Sequence, residues 1–115
     1  MSLGGVDSRT ANRILLALPR PDLEQLWSHL EPVDLLYGQV IYRDQEPVTH
    51  LYFVDRGLIS RVKTMEDGKT VEIGVIGIEG VSGCYTLFGM NIAILVSIVQ
   101  IPGSAFRIQR EVLRH

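Results

Sequence analysis

Apolar positions along the chain follow two different rhythms. In the first 30 residues they recur at helical spacing. Ile14, Leu15 and Leu18 form one cluster, which Pro19-Arg20-Pro21 interrupts, and Leu23, Leu26, Trp27 and Leu30 then repeat every three or four residues. This predicts two short helices, the second capped by Asp22 with Gln25 three residues on, and makes Trp27 a core anchor. From Val33 short apolar runs alternate with turn signals about every eight to twelve residues, as in a β-sandwich or barrel. The predicted strands are Val33 to Tyr37, Gln39 to Tyr42, Val48 to Val54, Leu58 to Thr64, Thr70 to Ile76, Ile92 to Ile101 and Ser104 to Ile108. Gln109 to His115 reads as helix again.

Three places in this β region stand out. Asp67-Gly68 is a hairpin signal, because glycine takes positive φ without steric cost, and Val71, Ile73 and Val75 after it alternate with Thr70, Glu72 and Gly74. Ile92 to Ile101 is apolar on both faces, which predicts a central strand covered twice. Gly77-Ile78-Glu79-Gly80-Val81-Ser82-Gly83 breaks the rhythm, and Cys84 to Phe88 is long enough for one helical turn after it. A Gly-rich loop running into a helix presents free N–H groups that suit a phosphate, but it serves equally as a corner between sheets, and spacing alone favours the corner. Gly74, Gly77 and Gly80 do not make the G-x-G-x-x-G dinucleotide fingerprint.

Composition narrows the classes. A chain of 115 residues with 46% apolar and 21% charged residues is one globular domain rather than a disordered segment. The 11 basic against 13 acidic residues leave a net charge of −2, so the bulk charge shows no nucleic-acid surface. The single cysteine, Cys84, excludes an internal disulfide and an all-cysteine metal or iron–sulfur site. No run approaches the roughly 18 apolar residues of a membrane span, and no basic-then-apolar leader is evident. A cytoplasmic location is therefore expected. Residues 1–11 are expected to be a tag remnant or flexible N-terminus, with the domain proper over 12–115. Glu111-Val112-Leu113 has no Gly or Pro stop after it, so a fragment of a longer protein is expected.

Candidate chemistry is sparse. His29, His50 and His115 are far apart in sequence without ligand spacing, so no metal is expected. Cys84 at a helix start has the position for a lowered thiol pKa, although a buried, inert cysteine is the commoner case. No Ser-His-Asp or paired-carboxylate motif is present, so an enzyme is not expected.

Helices, then about eight short strands with a Gly-rich insertion before the last long ones, then a helix: this order resembles the cyclic-nucleotide-binding β-roll. It is most similar to the sensor domain of Crp/Fnr-type transcription regulators. The residues that carry the resemblance are Leu35 to Tyr42, His50 to Ile59 with its Tyr-Phe-Val-x-x-Gly-Leu run, Met65 to Gly74, and Gly80-Val81-Ser82-Gly83. The resemblance implies a mainly β fold with flanking helices, a double-stranded β-helix or jelly roll. It places a phosphate-binding cassette on the Gly-rich insertion. The candidate ligand-binding residues are Glu79, Gly80, Val81, Ser82, Gly83, Cys84, Ile92, Ala93 and Ile94.

In cyclic-AMP-binding members a glutamate on that loop holds the ribose, and an arginine after the cassette helix pairs with the cyclic phosphate. Here Val81 stands at the glutamate position and Ile92-Ala93-Ile94 near the arginine, and no arginine lies between Arg61 and Arg107. Glu79, two residues early, is a candidate stand-in. Losing one partner of a buried charge pair costs about 3–5 kcal/mol, roughly a hundredfold to a thousandfold or more in affinity. Cyclic AMP is therefore expected to bind weakly or not at all, and no cofactor is expected. Ile92, Ile94 and Val96, or alternatively Ala93 and Leu95, would face the interior, favouring a neutral or apolar effector or a filled pocket. The resemblance further implies a homodimeric parent that contacts DNA through a C-terminal dimerisation helix and helix-turn-helix not contained in this chain. The alternatives are a regulatory module of a channel or kinase, a cupin-like enzyme, and a degenerate roll that only dimerises.

Overall fold

A computed structural model describes residues 8–83, 92–93 and 95–113. The elements are α1 (Arg13–Leu16), α2 (Arg20–Trp27), β1 (Glu31–Leu35), β2 (Val40–Tyr42), β3 (His50–Thr64), β4 (Thr70–Ile76), β5 (Val81–Ser82), β6 (Val96–Gln109) and α3 (Arg110–Leu113). The fold is mainly antiparallel β with short flanking helices, as expected. Sheet order is β1-β6-β3-β4, with β2 added to β6 and β5 added to β3.

Two long strands, β3 and β6, form the spine. They pair antiparallel from His50↔Gln109 to Val62↔Val96, and the register shifts between Val54 and Ile59. That shift is where the spine turns its corner. Gly57 has φ +100°, and a Cβ there would stand 2.5 Å from the Ile101 carbonyl oxygen. A Cβ on Gly103 would overlap the Arg56 carbonyl oxygen. Only glycine permits so close an approach of the two backbones. Asp55-Arg56-Gly57 and Pro102-Gly103, expected as turns between separate strands, are therefore bends within continuous ones.

Beyond the corner the two ends of the spine take different neighbours. One end is flanked by β1 and β5, the other by β2 and β4. This is how a single strand pair wraps into a roll. Alternation then places Leu51, Phe53 and Ile108 under the helices, against Leu15 and Leu23. Val54, Ile59, Val99 and Ala105 turn the other way and meet Leu35 in a second cluster. A third, of Tyr42, Val48 and Ala93, lies beside the Gly-rich corner.

Several expectations are corrected. Asp22 does not cap α2: Pro19 stands at the cap without a side-chain hydrogen bond, and Asp22 falls in the first turn, where its charge favours the helix dipole. Trp27 is only partly buried; its ring meets Phe106 at 4.8 Å and carries the Arg9 guanidinium at 4.4 Å. Ile92 to Ile101 is not one doubly covered strand. Ile92 makes an isolated bridge to Pro47, β6 starts only at Val96, and Ile101 is 52% exposed. Asp55 accepts from the Thr10 hydroxyl at 2.9 Å and the Ala11 N–H at 2.6 Å, and Arg9 pairs with Glu24 at 2.6 Å.

Candidate functional site

The Gly-rich segment forms a corner. Residues 77–80 turn, with the Gly80 N–H donating to the Gly77 carbonyl at 3.1 Å, and β5 then pairs Val81 with Phe53 and Ser82 with Tyr52. Asn12 ties this corner to the rest of the roll. Fully buried, its Oδ1 accepts from the Ile14 and Leu15 N–H groups and caps α1, while its Nδ2 donates to the Val54 and Gly80 carbonyls, both at 2.8 Å. The Arg13 N–H adds a bond to the Ile78 carbonyl at 2.6 Å.

The candidate residues divide by orientation. Glu79 is exposed, and its carboxylate accepts from the Gly77 N–H at 3.3 Å, so it serves its own turn. Val81 packs with the helix-side cluster. Ser82 is buried, and its carbonyl lies 3.1 Å from the Tyr42 hydroxyl, which also stands 2.5 Å from the His50 carbonyl. Gly83 has φ +92°, and a Cβ there would come 2.6 Å from that same hydroxyl. Ala93 is buried against Tyr42 and Val48, and its backbone is locked to Gln45 and Glu46 by bonds of 2.8 and 2.7 Å. Of the two alternating sets, Ala93 therefore belongs to the interior, and Ile92 lines a neighbouring cavity with Pro47 and Arg110. Cys84, Ile94 and the helical turn expected over Cys84 to Phe88 lie outside the described residues.

Sequence reasoning missed the group around which these residues gather. Tyr42, edge-on to Tyr52 at 5.9 Å between ring centroids, links β2 to β3 and β5 through its hydroxyl. Its place as the last inward position of a short strand after Gly38 was the available signal. Of the described candidate residues, Val81, Ser82, Gly83 and Ala93 offer no charge, and Glu79 is turned to its own loop.

A second polar group lies on the outer side of the spine. His29 and His50, distant in sequence, line one cleft of about 280 Å³ with Glu31 and Arg107. Arg107 contacts Tyr52 and Glu31, and the Tyr52 contact first, then Glu31, holds its pKa above the ordinary guanidinium value. Burial, then the charge of Arg107, lowers the His50 pKa, with Glu31 opposing. Among the described residues no three His, Cys, Asp or Glu side chains are grouped to hold a metal. No described helix is long and apolar enough to cross a membrane.

Among the described residues, a six-stranded antiparallel sheet with a Gly-rich corner and short helices packed on one end defines the class: a β-roll. A family model for the cyclic nucleotide-binding domain matches residues 32–115, and the chain belongs to that family. No curated protein sequence matches it. Among solved structures it is similar to the N-terminal domain of a transcriptional regulator from Streptomyces coelicolor, with TM-score 0.78 and 20% identity over 90% of this chain and 73% of that one. The regulatory subunit of a cAMP-independent protein kinase A from Trypanosoma brucei is similar at TM-score 0.78 and 20% identity, covering 91% of this chain and 38% of that one. It is a triple mutant, with one change introducing an arginine, bound to cAMP. The sensor domain of the regulator DNR from Pseudomonas aeruginosa gives 0.72 and 18%, covering 82% and 63%. At these identities the likenesses show the fold.

Proposed function

We propose that this chain is the effector-sensing domain of a Crp/Fnr-type DNA-binding transcription regulator, and that cyclic AMP binds it weakly or not at all. The observation that carries the ligand reading is the lack of charge on Val81, Ser82, Gly83 and Ala93. Val81 packs into the core where a ribose-binding carboxylate is expected, and Ile92 and Ala93 carry no guanidinium for a cyclic phosphate. A buried phosphate charge without its partner loses about 3–5 kcal/mol.

In the parent, a small-molecule effector shifts a dimerisation helix that follows α3 and so orients two DNA-binding modules of a cytoplasmic homodimer. The domain itself is regulatory and non-catalytic. A kinase-type regulatory module is the second reading, favoured by the equal TM-score of 0.78 to the kinase regulatory subunit. Calorimetry of the 115-residue chain with cyclic AMP tests the ligand reading. No saturable heat in the micromolar range is expected, and a micromolar or tighter dissociation constant overturns it.

A further inference from the structure

Arg110 lies where β6 passes into α3, on the wall of a cavity of about 350 Å³ formed with Pro47, Thr49, His50 and Ile92. Its side chain is 13% exposed, and its Nε and Nη1 are buried without a hydrogen-bond partner among the described residues. Only Nη2 is engaged, by Glu111 Oε1 at 3.1 Å, and that carboxylate is 65% exposed. The Arg110 backbone N–H is already given to the Thr49 carbonyl at 2.8 Å, so the guanidinium alone has donors to offer. A guanidinium stays charged at any accessible pH, and burying its donors unpaired is costly. An exposed ion pair such as the one to Glu111 compensates little of this.

The cavity supplies what the cation lacks. Pro47, Val48 and Ile92 form its apolar wall, and the Thr49 hydroxyl, 2.9 Å from His50 Nδ1, adds a polar group. We infer that this cavity binds a small anion, a carboxylate or phosphate group, on Arg110, with Glu111 as its displaceable internal competitor. Binding requires the guanidinium to turn away from Glu111 so that Nε and Nη1, buried as they stand, reach the anion. The inference goes beyond the cassette reading, uses neither Val81 nor Ser82, and holds whether or not cyclic AMP binds.

The test follows the Arg110 Nε–H resonance and the Thr49 and His50 amides by NMR. Sodium phosphate and sodium acetate are titrated separately at constant ionic strength, above the histidine titration range. Saturable shifts with phosphate, acetate or both are expected, and which anion saturates identifies the group. Glu111→Gln should tighten the midpoint about two- to fivefold, since it removes an exposed competing pair. Arg110→Gln should abolish saturation at the two amides, and Arg110→Lys should weaken it. Linear drift with both anions, an unchanged midpoint in Arg110→Gln, or no tightening in Glu111→Gln each overturns the inference. If Arg110→Gln fails to fold, the native chain and Glu111→Gln still decide it.

Discussion

Replacing Asn12 by alanine removes one side chain and four hydrogen bonds at once. The cap on α1 is worth about 0.5–2 kcal/mol. The Val54 and Gly80 carbonyls each lose a donor at 2.8 Å in a fully buried place, and an unsatisfied buried polar group costs about 1–3 kcal/mol. A carbonyl has a second lone pair for another partner, which puts these losses near the low end. The sum is about 2–5 kcal/mol, a large part of the roughly 5–15 kcal/mol that holds a domain folded. For a chain this long that is about 8–20 °C in melting temperature. Urea unfolding followed by Trp27 emission measures it, since Trp27 packs with the cluster that the helices close over. Asn12→Asp separates the contributions: it keeps the cap acceptor, loses both donors, and sets a carboxylate against two carbonyls. It should be at least as unstable as Asn12→Ala. A loss below about 1 kcal/mol in Asn12→Ala, or an Asn12→Asp variant clearly more stable than Asn12→Ala, would refute the reasoning.

Two further predictions concern the spine. Gly103→Ala places a methyl against the Arg56 carbonyl oxygen at the corner and should cost about 3 kcal/mol, read as a lower thermal midpoint; an unchanged midpoint rejects the close-approach argument. His50 has a folded pKa below its unfolded value near 6.5, so protonation opposes folding. Its stabilising share is complete above about pH 6.5 and declines as pH falls through that value toward the folded pKa. His50→Gln should therefore flatten the acid side of a urea-midpoint profile, by a modest amount because the ring is only half buried; a profile of unchanged slope removes His50 from the account.

The bounds of the strand Thr70–Ile76 were legible to the residue, because a hairpin turn and alternation are both local signals, but the face expected to point inward, Val71, Ile73 and Val75, is exposed. The spine was not. Asp55-Arg56-Gly57 carries every mark of a turn, and only the packing of β6 across it makes it a bend. The role of Asn12 was equally hidden, since its carbonyl partners lie 42 and 68 residues away. His29 and His50 share no sequence spacing, and it is the pairing of β1 and β3 with opposite edges of β6 that brings them to one cleft. That no arginine lies between Arg61 and Arg107, by contrast, needed no structure. Arg110 escaped notice because nothing in a run of residues tells which cations will be enclosed.

The passage from β6 to α3 contains no intervening residue: Gln109 ends one and Arg110 begins the other. A junction without slack behaves as a rigid lever. A small twist of the sheet at its end is delivered to the helix as a change of direction, undamped by any linker. A tilt of one strand's last pair of residues would then be enough to redirect α3.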